Sequence, residues 1–541
     1  MSNHQQSFRH RALTSIIQAS VADIPLLLVH STLAVRRRIA SLACVMVALS
    51  WLPASAQFPE TSDESLALLV AMERATVAAI AKAEQSVVAV ARVRRDREAS
   101  ATAGFLQLSE PDPGTELPQT LDFVPTFYGS GVVLSADGFI VTCAHVLDDP
   151  RRNDYYVWLD RRCYPAEVVG KPAQVIAADP YSDLAVLKIE AHDLTAADLA
   201  DAGELRKGQF VIALGNPNAI ARDGQASASW GIVSNLNRVA PVEATPKSVG
   251  TGKESIHQFG TLIQTDAKLS LGTSGGALVN LRGEVVGITT SLVATLGSET
   301  AAGFAIAVDP LFRRVLDSLK VGVLPEYGFL GIEPEELRPE ERERGFSGAR
   351  VRTVMVGLPA YDAGLRSDDI IYQVNGESIV DRNDLFRALG ALQAGAEVSL
   401  MVLRDNSGRL GAHRASLPIK AILSKKRIDA SRPSYSIIPP SSWRGMSVDY
   451  STAVLDELIR NGRFPTRRET TKVTVMTVEP GTPTWLAGLR PGDGIVSVEN
   501  QAVNTPEDFY NKVDGMDGAA IVQIIRSGDR RESLTVSRSV D

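Results

Sequence analysis

Residues 268–280 read KLSLGTSGGALVN. The glycine-rich core, Gly272-Thr273-Ser274-Gly275-Gly276, has three physical readings: a flexible linker, a phosphate-cradling loop, or a frame around a reactive serine. A phosphate loop needs a lysine after its glycines and a helix behind it. Here the following residues, ALVNLRGEVVGITT, alternate as strands, and no lysine is present. A linker is excluded by the apolar runs that flank the motif closely on both sides. A nucleophile frame around Ser274 remains.

The surroundings set the fold class. From Tyr128 onward the chain runs through GVVLS, GFIVTCAHV, YYVWL, AQVIAAD, DLAVLKIE, GQFVIALGNP, SWGIVSNL and GTLIQTD to AAGFAIAV near residue 308. These are short β-branched or aromatic runs broken by Gly, Asp, Pro and Asn, the pattern of an all-β barrel or sandwich. Residues 279–285 read as a hairpin turning at Asn280-Leu281-Arg282-Gly283. One amphipathic helix, 310–319, closes the block.

The motif also satisfies the G-x-S-x-G elbow of α/β-hydrolases, in which acid and histidine follow the serine. Only His413 follows Ser274, and no β/α alternation surrounds it. The order His, Asp, Ser, on antiparallel strands, is the chymotrypsin-like one. His145 stands where the run GFIVTCAHV ends, and Asp183 opens the apolar strand DLAVLKIE. Asp179 competes for the acid role, but the Pro180-Tyr181 that follows assigns it to capping a turn. Ser274 would attack a peptide carbonyl, His145 would relay its proton, and Asp183 would hold the imidazole. Gly272, Thr273 and Ser274 form the oxyanion frame, with the N–H groups of Gly272 and Ser274 as donors. This chemistry calls for no cofactor and no metal.

At 541 residues the chain is too long for one core. A net charge of −7 without basic clusters argues against a nucleic-acid partner. Residues 36–57, RRRIASLACVMVALSWLPASAQ, have the charged start, apolar middle and A-x-A end of a cleavable export signal, with cleavage expected before Gln57. The apolar run is short for a membrane span of roughly 20 residues. The residues ahead of Arg36 exceed such a signal and fit a start placed too far upstream. Ser41 excludes a lipid anchor at Cys44. Cys143 and Cys163 remain after cleavage, and both a disulfide and two reduced buried thiols fit them.

Residues 63–96 are rich in Ala, Leu and Glu and read as one or two helices, followed by a polar linker over 97–120. The C-terminal part repeats: Ala363-Gly364-Leu365-Arg366 realigns without gaps with Ala487-Gly488-Leu489-Arg490. Two related modules of roughly 100 residues are expected, joined by a linker over 424–440.

With these residues in place, the sequence from about Tyr128 to Val536 resembles the HtrA (DegP-like) family of trypsin-fold serine proteases. The blocks GSGVVLSADGFIVTCAHV, SDLAVLKI, ALGNP and IQTDAKLSLGTSGGALVNLRGEVVGITT carry the likeness, with Thr273 in place of the family's usual asparagine. The resemblance implies a mainly β chain: a chymotrypsin/trypsin-like double β-barrel over 121–320, then PDZ domains over 321–423 and 441–541. The segments 1–56 and 57–120 would be the signal with its extension, and a helical segment with a linker. Phe329, Leu330, Gly331 and Ile332 match the loop with which a PDZ domain holds a terminal carboxylate during β-strand addition. Arg444-Gly445-Met446-Ser447-Val448 matches it loosely. Leu269 and Leu271, with Leu292, would line the pocket for the residue before the cut. With no acid there, aliphatic residues are favoured over Arg or Lys, and Lys268 reads as a solvated surface lysine. The loop 238–260 matches one that senses PDZ occupancy in the family, or is an ordinary insertion with His257 incidental. The resemblance further implies a homotrimer or higher oligomer built around Phe123 and Phe127, with unfolded envelope proteins and C-terminal peptides as partners. The competing class is a PDZ scaffold or chaperone with a dead protease domain. The intact His145, Asp183 and Ser274 argue against it.

Overall fold

The computed structural model describes residues 63–95, 127–159, 171–216, 225–239, 255–290, 302–405, 414–428, 433–454, 471–526 and 530–538. The expected export signal, the whole 97–120 linker, Phe123, Cys163, Leu292 and most of the 238–260 loop lie outside these residues.

A helix spans Asp63–Ala83. The helical expectation for 63–96 fails beyond it. Val87–Arg94 is a strand, β1, whose first six residues are buried. It pairs antiparallel with both β2 (Phe127–Val133) and β4 (Asn153–Trp158). The run VVAVA suits a strand enclosed on both faces, and this burial overrides the helix preference of its alanines. The first barrel therefore begins at Val87, ahead of the expected boundary at 121.

β3 (Phe139–Cys143), β5 (Lys171–Asp179) and β6 (Leu184–Ile189) complete that sheet in the order β5-β4-β1-β2-β3-β6, closed by β5 against β6. The second closed barrel runs β10-β11-β12-β9-β8-β7. Its strands are β7 (Phe210–Gly215), β8 (Ser227–Arg238), β9 (Leu262–Thr265), β10 (Ala277–Val279), β11 (Val285–Thr290) and β12 (Gly303–Ala307). The two-residue period of a strand joins the barrels. On β7 and β10, Val211, Ala213 and Leu278 fill the second barrel. The alternate residues Ile212, Leu214, Ala277 and Val279 belong to the large core shared with the first barrel. The expected hairpin at 279–285 is present, closed by Asn280 N donating to Glu284 O at 3.0 Å. The helix Pro310–Lys320 is capped by Asp309, which accepts from Phe312 N, and it buries Leu311, Phe312, Val315, Leu316 and Leu319.

The repeat is visible as two matching sheets. In the first, β13 (Ile332–Glu335), β14 (Ala349–Val354), β15 (Ile370–Val374), β16 (Glu397–Asp405) and β17 (Arg414–Ile422) lie in that order. In the second, β18 (Met446–Tyr450), β19 (Val473–Val478), β20 (Gly494–Val498), β21 (Ala520–Arg526) and β22 (Arg530–Val536) repeat it. One ion pair recurs: Arg404 meets buried Asp369 at 2.7 Å, and Arg526 meets buried Asp493 at 3.0 Å. In both modules the arginine also donates to the carbonyl of the repeated glycine, Gly364 or Gly488.

The described parts of the 424–440 segment are stitched down rather than free. Ser424–Lys425 pairs with Gly328–Phe329, and Tyr435–Ser436 pairs with the end of β5 at Ala177–Ala178. Polar runs of this kind read as linker because the partners that satisfy their backbone groups are distant in sequence. Among the described residues no helix is long and apolar enough to cross a membrane.

Candidate active site

β3 delivers His145 into a single helical turn, Ala144–Leu147, where the strand leaves the barrel. β6 begins at Leu184 beside it, Cys143 pairing with Leu184, so the preceding residue, Asp183, lies next to the histidine. His145 Nδ1 lies 2.7 Å from Asp183 Oδ2, and the His145 backbone N–H donates to Asp183 Oδ1 at 2.9 Å. Asp183 is 4% exposed. Burial pushes its carboxyl up, but the charge and hydrogen bonds of His145 outweigh this and hold it below the ordinary range. Its backbone is left-handed, with φ of 55°, a conformation that costs an L-residue about 1–2 kcal/mol and that Asp tolerates best with Asn. The cost is met by Ala144 N, which donates to the Asp183 carbonyl at 2.9 Å.

The carboxylate of Asp179, the competing acid, is engaged by other partners. It accepts from Tyr181 N, from Ser182 N and from Ser182 Oγ, at 3.2, 3.1 and 2.7 Å, and from the Tyr327 hydroxyl. It is the cap of the turn that Pro180 signals.

The Ser274 loop is built around Ser130 of β2, a residue the sequence reading did not single out. Ser130 N donates to Ser274 O at 2.8 Å. Its hydroxyl donates to Gly272 O at 2.7 Å and accepts from Asn216 N at 2.8 Å. Its carbonyl accepts from Thr142 Oγ1 at 2.7 Å, three residues before His145. One serine thus ties the Ser274 loop to the strand that leads into His145. β11 holds the other side, with Gly275 N donating to Thr289 O at 2.8 Å and Thr289 Oγ1 to Thr273 O at 2.6 Å.

Gly272 has φ of 94°, and a Cβ there would lie 2.5 Å from Asn216 O and 2.7 Å from the Tyr128 ring. Only glycine fits. Thr273, included in the expected oxyanion frame, spends its N–H on Ser270 O at 3.1 Å and its hydroxyl on the same carbonyl at 2.7 Å. It braces the loop and offers no donor toward a substrate. Leu269 packs where a Cβ on Gly303 would otherwise sit, 2.8 Å from that position. Leu271 is 58% exposed, on the outer side of the loop.

His257, in a loop for which the sequence left a sensing role and an ordinary insertion both open, is 1% exposed. Its Nε2 lies 2.9 Å from Ser182 O and its Nδ1 2.6 Å from Thr261 Oγ1. A carbonyl only accepts, so Nε2 carries the proton. Burial pushes the ring's pKa down and keeps it neutral, leaving Nδ1 to accept from the threonine. The sequence held no signal for this, because Ser182 and His257 meet only in three dimensions.

Cys143, His145 and Asp183 present donor atoms within 4.8 Å of one another. Burial pushes the Cys143 thiol well up, away from a metal-binding thiolate, and its Sγ lies 3.5 Å from Thr289 O. The arrangement suits an imidazole oriented and charge-stabilised by Asp183 better than a cation.

The two C-terminal modules differ at one loop. In the first, Gly331 has φ of 80° and its carbonyl accepts from Met355 N at 3.0 Å. This register turns the N–H and C=O of Ile332 to the outer edge of β13, the last strand of its sheet. In the second, Gly445 O accepts from Glu479 N in the same way. Here, however, Met446 and Trp443 exchange both backbone hydrogen bonds, at 2.9 and 2.8 Å. Further along the edge, Val448 N donates to Tyr510 Oη at 3.1 Å, and that hydroxyl donates to Ser441 O at 2.7 Å.

Comparison with known proteins agrees with this architecture. Residues 129–288 match the trypsin-like peptidase domain, and residues 328–410 and 474–538 each match a PDZ domain. The chain is 32% identical over 390 residues to a "Probable periplasmic serine endoprotease DegP-like" of Pseudomonas fluorescens, covering 70% of this chain and 72% of the relative. It is 30% identical over 403 residues to the periplasmic serine endoprotease DegP of Escherichia coli, covering 74% of each. Among solved structures, the HtrA-type protease AlgW with tripeptide superposes with a TM-score of 0.45 at 25% identity, over 65% of this chain and 97% of that one. With its trypsin-like barrels followed by two PDZ domains, the chain belongs to the DegP-like family of serine endoproteases.

Proposed function

We propose that this chain is an exported, ATP-independent endopeptidase that cuts unfolded or misfolded envelope proteins through an acyl-enzyme on Ser274. The observation that carries this reading is the 2.7 Å bond between His145 Nδ1 and Asp183 Oδ2, beside a serine loop anchored on the same strands. With Nδ1 engaged, Nε2 of His145 is the nitrogen left to take the Ser274 proton as Oγ attacks the carbonyl carbon. The same nitrogen returns it to the leaving amine, and water then repeats the cycle on the ester. Asp183 stays ionised and steadies the imidazolium. The N–H groups of Gly272 and Ser274 would receive the oxyanion, a contribution of about 3 kcal/mol per donor. Leu269 favours aliphatic residues before the cut. Periplasmic residence fits the names of the relatives, and the exposed aromatics Phe127, Phe210 and Trp230 are suited to packing against other copies in a trimer.

The first PDZ domain is the receptor for C-terminal hydrophobic peptides, by strand addition to the Ile332 edge with the carboxylate on the Phe329–Ile332 loop. The second domain does not bind in this way, because Trp443 and Tyr510 already occupy the donors of its edge strand.

The test is casein cleavage and labelling by diisopropyl fluorophosphate. The wild-type chain should cleave casein and be labelled at Ser274. Ser274→Ala should lose both while keeping its melting temperature and peptide binding. Cleavage that survives in Ser274→Ala would falsify the assignment of the nucleophile. A wild-type chain that never labels would favour a scaffold.

A further inference from the structure

The peptide unit ahead of Asp183 is gripped from two sides, and both grips lead into the first PDZ domain. On one side Ser182 N and Oγ donate to the Asp179 carboxylate, which also accepts from the Tyr327 hydroxyl. Tyr327 is fully buried, lies edge-on to Tyr181 at 4.6 Å, and immediately precedes the Gly328–Ile332 loop. On the other side His257 Nε2–H donates to Ser182 O at 2.9 Å. His257 belongs to the short turn Ile256–Phe259, which is fixed to the same region by Ile256 N donating to Tyr181 O at 3.0 Å. That turn is held by the PDZ helix Arg382–Gly390. Phe386 stacks on Phe259 at 4.2 Å, Arg387 donates to Phe259 O at 2.9 Å, and Gly390 lies so close to Ile256 that a Cβ would come within 2.8 Å of it.

We propose that Asp179 and His257 are positioning residues for Asp183, acting through Ser182 and fixed in place by Tyr327 and by the Phe386–Phe259 stack. Three features support this over simple domain packing. Packing two domains needs apolar area, whereas a buried carboxylate and a buried imidazole are costly unless each is satisfied. Here every bond made by the Asp179 carboxylate falls on Ser182, its neighbour Tyr181, or Tyr327, and the bond from His257 Nε2 falls on Ser182. The residue that follows, Asp183, is held left-handed at φ 55°, a geometry that a loosened turn would abandon for an extended one. Movement of that turn would shift Asp183 against His145 without touching the substrate pocket.

This inference rests on the triad reading above, and its test separates the two. The full-length chain is assayed with a short chromogenic peptide lacking a hydrophobic C-terminus, with rates divided by the Ser274 sites titrated with diisopropyl fluorophosphate. Tyr327→Phe and His257→Leu should each lower kcat about tenfold with KM unchanged. His257→Gln, whose amide still offers an N–H to Ser182 O, should recover most of the loss. Phe386→Ala, far from the substrate, should reproduce the His257→Leu defect. If Tyr327→Phe and His257→Leu keep wild-type kcat per titrated site, or raise KM instead, the proposal is overturned while the triad stands. A wild-type chain with neither turnover nor label removes the triad reading itself.

Discussion

Ser130 and Ser274 are joined by a backbone hydrogen bond of 2.8 Å, from the N–H of the first to the carbonyl of the second. The Ser130 hydroxyl meanwhile holds Gly272 O and Asn216 N. Ser130→Ala would leave a buried carbonyl and a buried N–H without a partner, at about 1–3 kcal/mol. We expect a lower melting temperature and a kcat reduced roughly tenfold on a peptide substrate. Wild-type kinetics in Ser130→Ala would show that the loop is held by β11 alone.

Gly272→Ala places a methyl group 2.5 Å from Asn216 O in a left-handed backbone. The loop must shift, and with it the donors proposed for the oxyanion. A fall in kcat of about 10²–10³ is expected, with peptide binding by the first PDZ domain intact in calorimetry.

Asp183→Asn keeps the shape of the acid but reverses the preferred tautomer of His145. The expected loss in kcat is about 10⁴. Since the Asp183 carboxyl is held below the ordinary range, its charge is lost only at pH values below that range. Measured rates should therefore show no step from this group between pH 5 and 8.

His257 contributes a pH dependence to stability with a defined sign. Burial depresses its folded pKa from 6.5. The unfolded chain therefore binds the extra proton as pH falls below about 6.5, and the folded chain does not. Stability from this group is present above that pH and is lost below it, at up to about 1.4 kcal/mol per pH unit. Thermal melts from pH 7.5 to 5 should decline more steeply for wild type than for His257→Gln. Parallel curves would show that His257 is not buried neutral.

The difference between the PDZ edges predicts one peptide site per chain. Calorimetry with a C-terminal hydrophobic peptide should give a stoichiometry near one. Gly331→Leu should remove the site, because its Cβ position lies 2.5 Å from Leu358 in a left-handed backbone. Gly445→Leu should leave it intact, since the second edge is occupied by Trp443 and Tyr510. Two sites of similar affinity in the wild type would refute the capped edge.

The sequence by itself determined the architecture. Period-two runs between turn residues produced the barrels, and the Ala-Gly-Leu-Arg repeat produced two equivalent modules, because both are set by neighbours within a few residues. It also narrowed the chemistry to His145, Ser274 and one of two aspartates. Tertiary structure decided the rest. It set Asp183 against His145 and turned Asp179 toward Tyr327, a residue 148 positions away. Enclosure between β2 and β4 made Val87–Arg94 a strand although its alanines favour a helix. Pairing with β5 and with Gly328–Phe329 turned a polar linker into structure. His257 became a buried donor to Ser182, and Ser130 the anchor of the nucleophile loop. In each case the deciding partner lies far along the chain, and buried hydrogen-bonding groups must find partners wherever the fold supplies them.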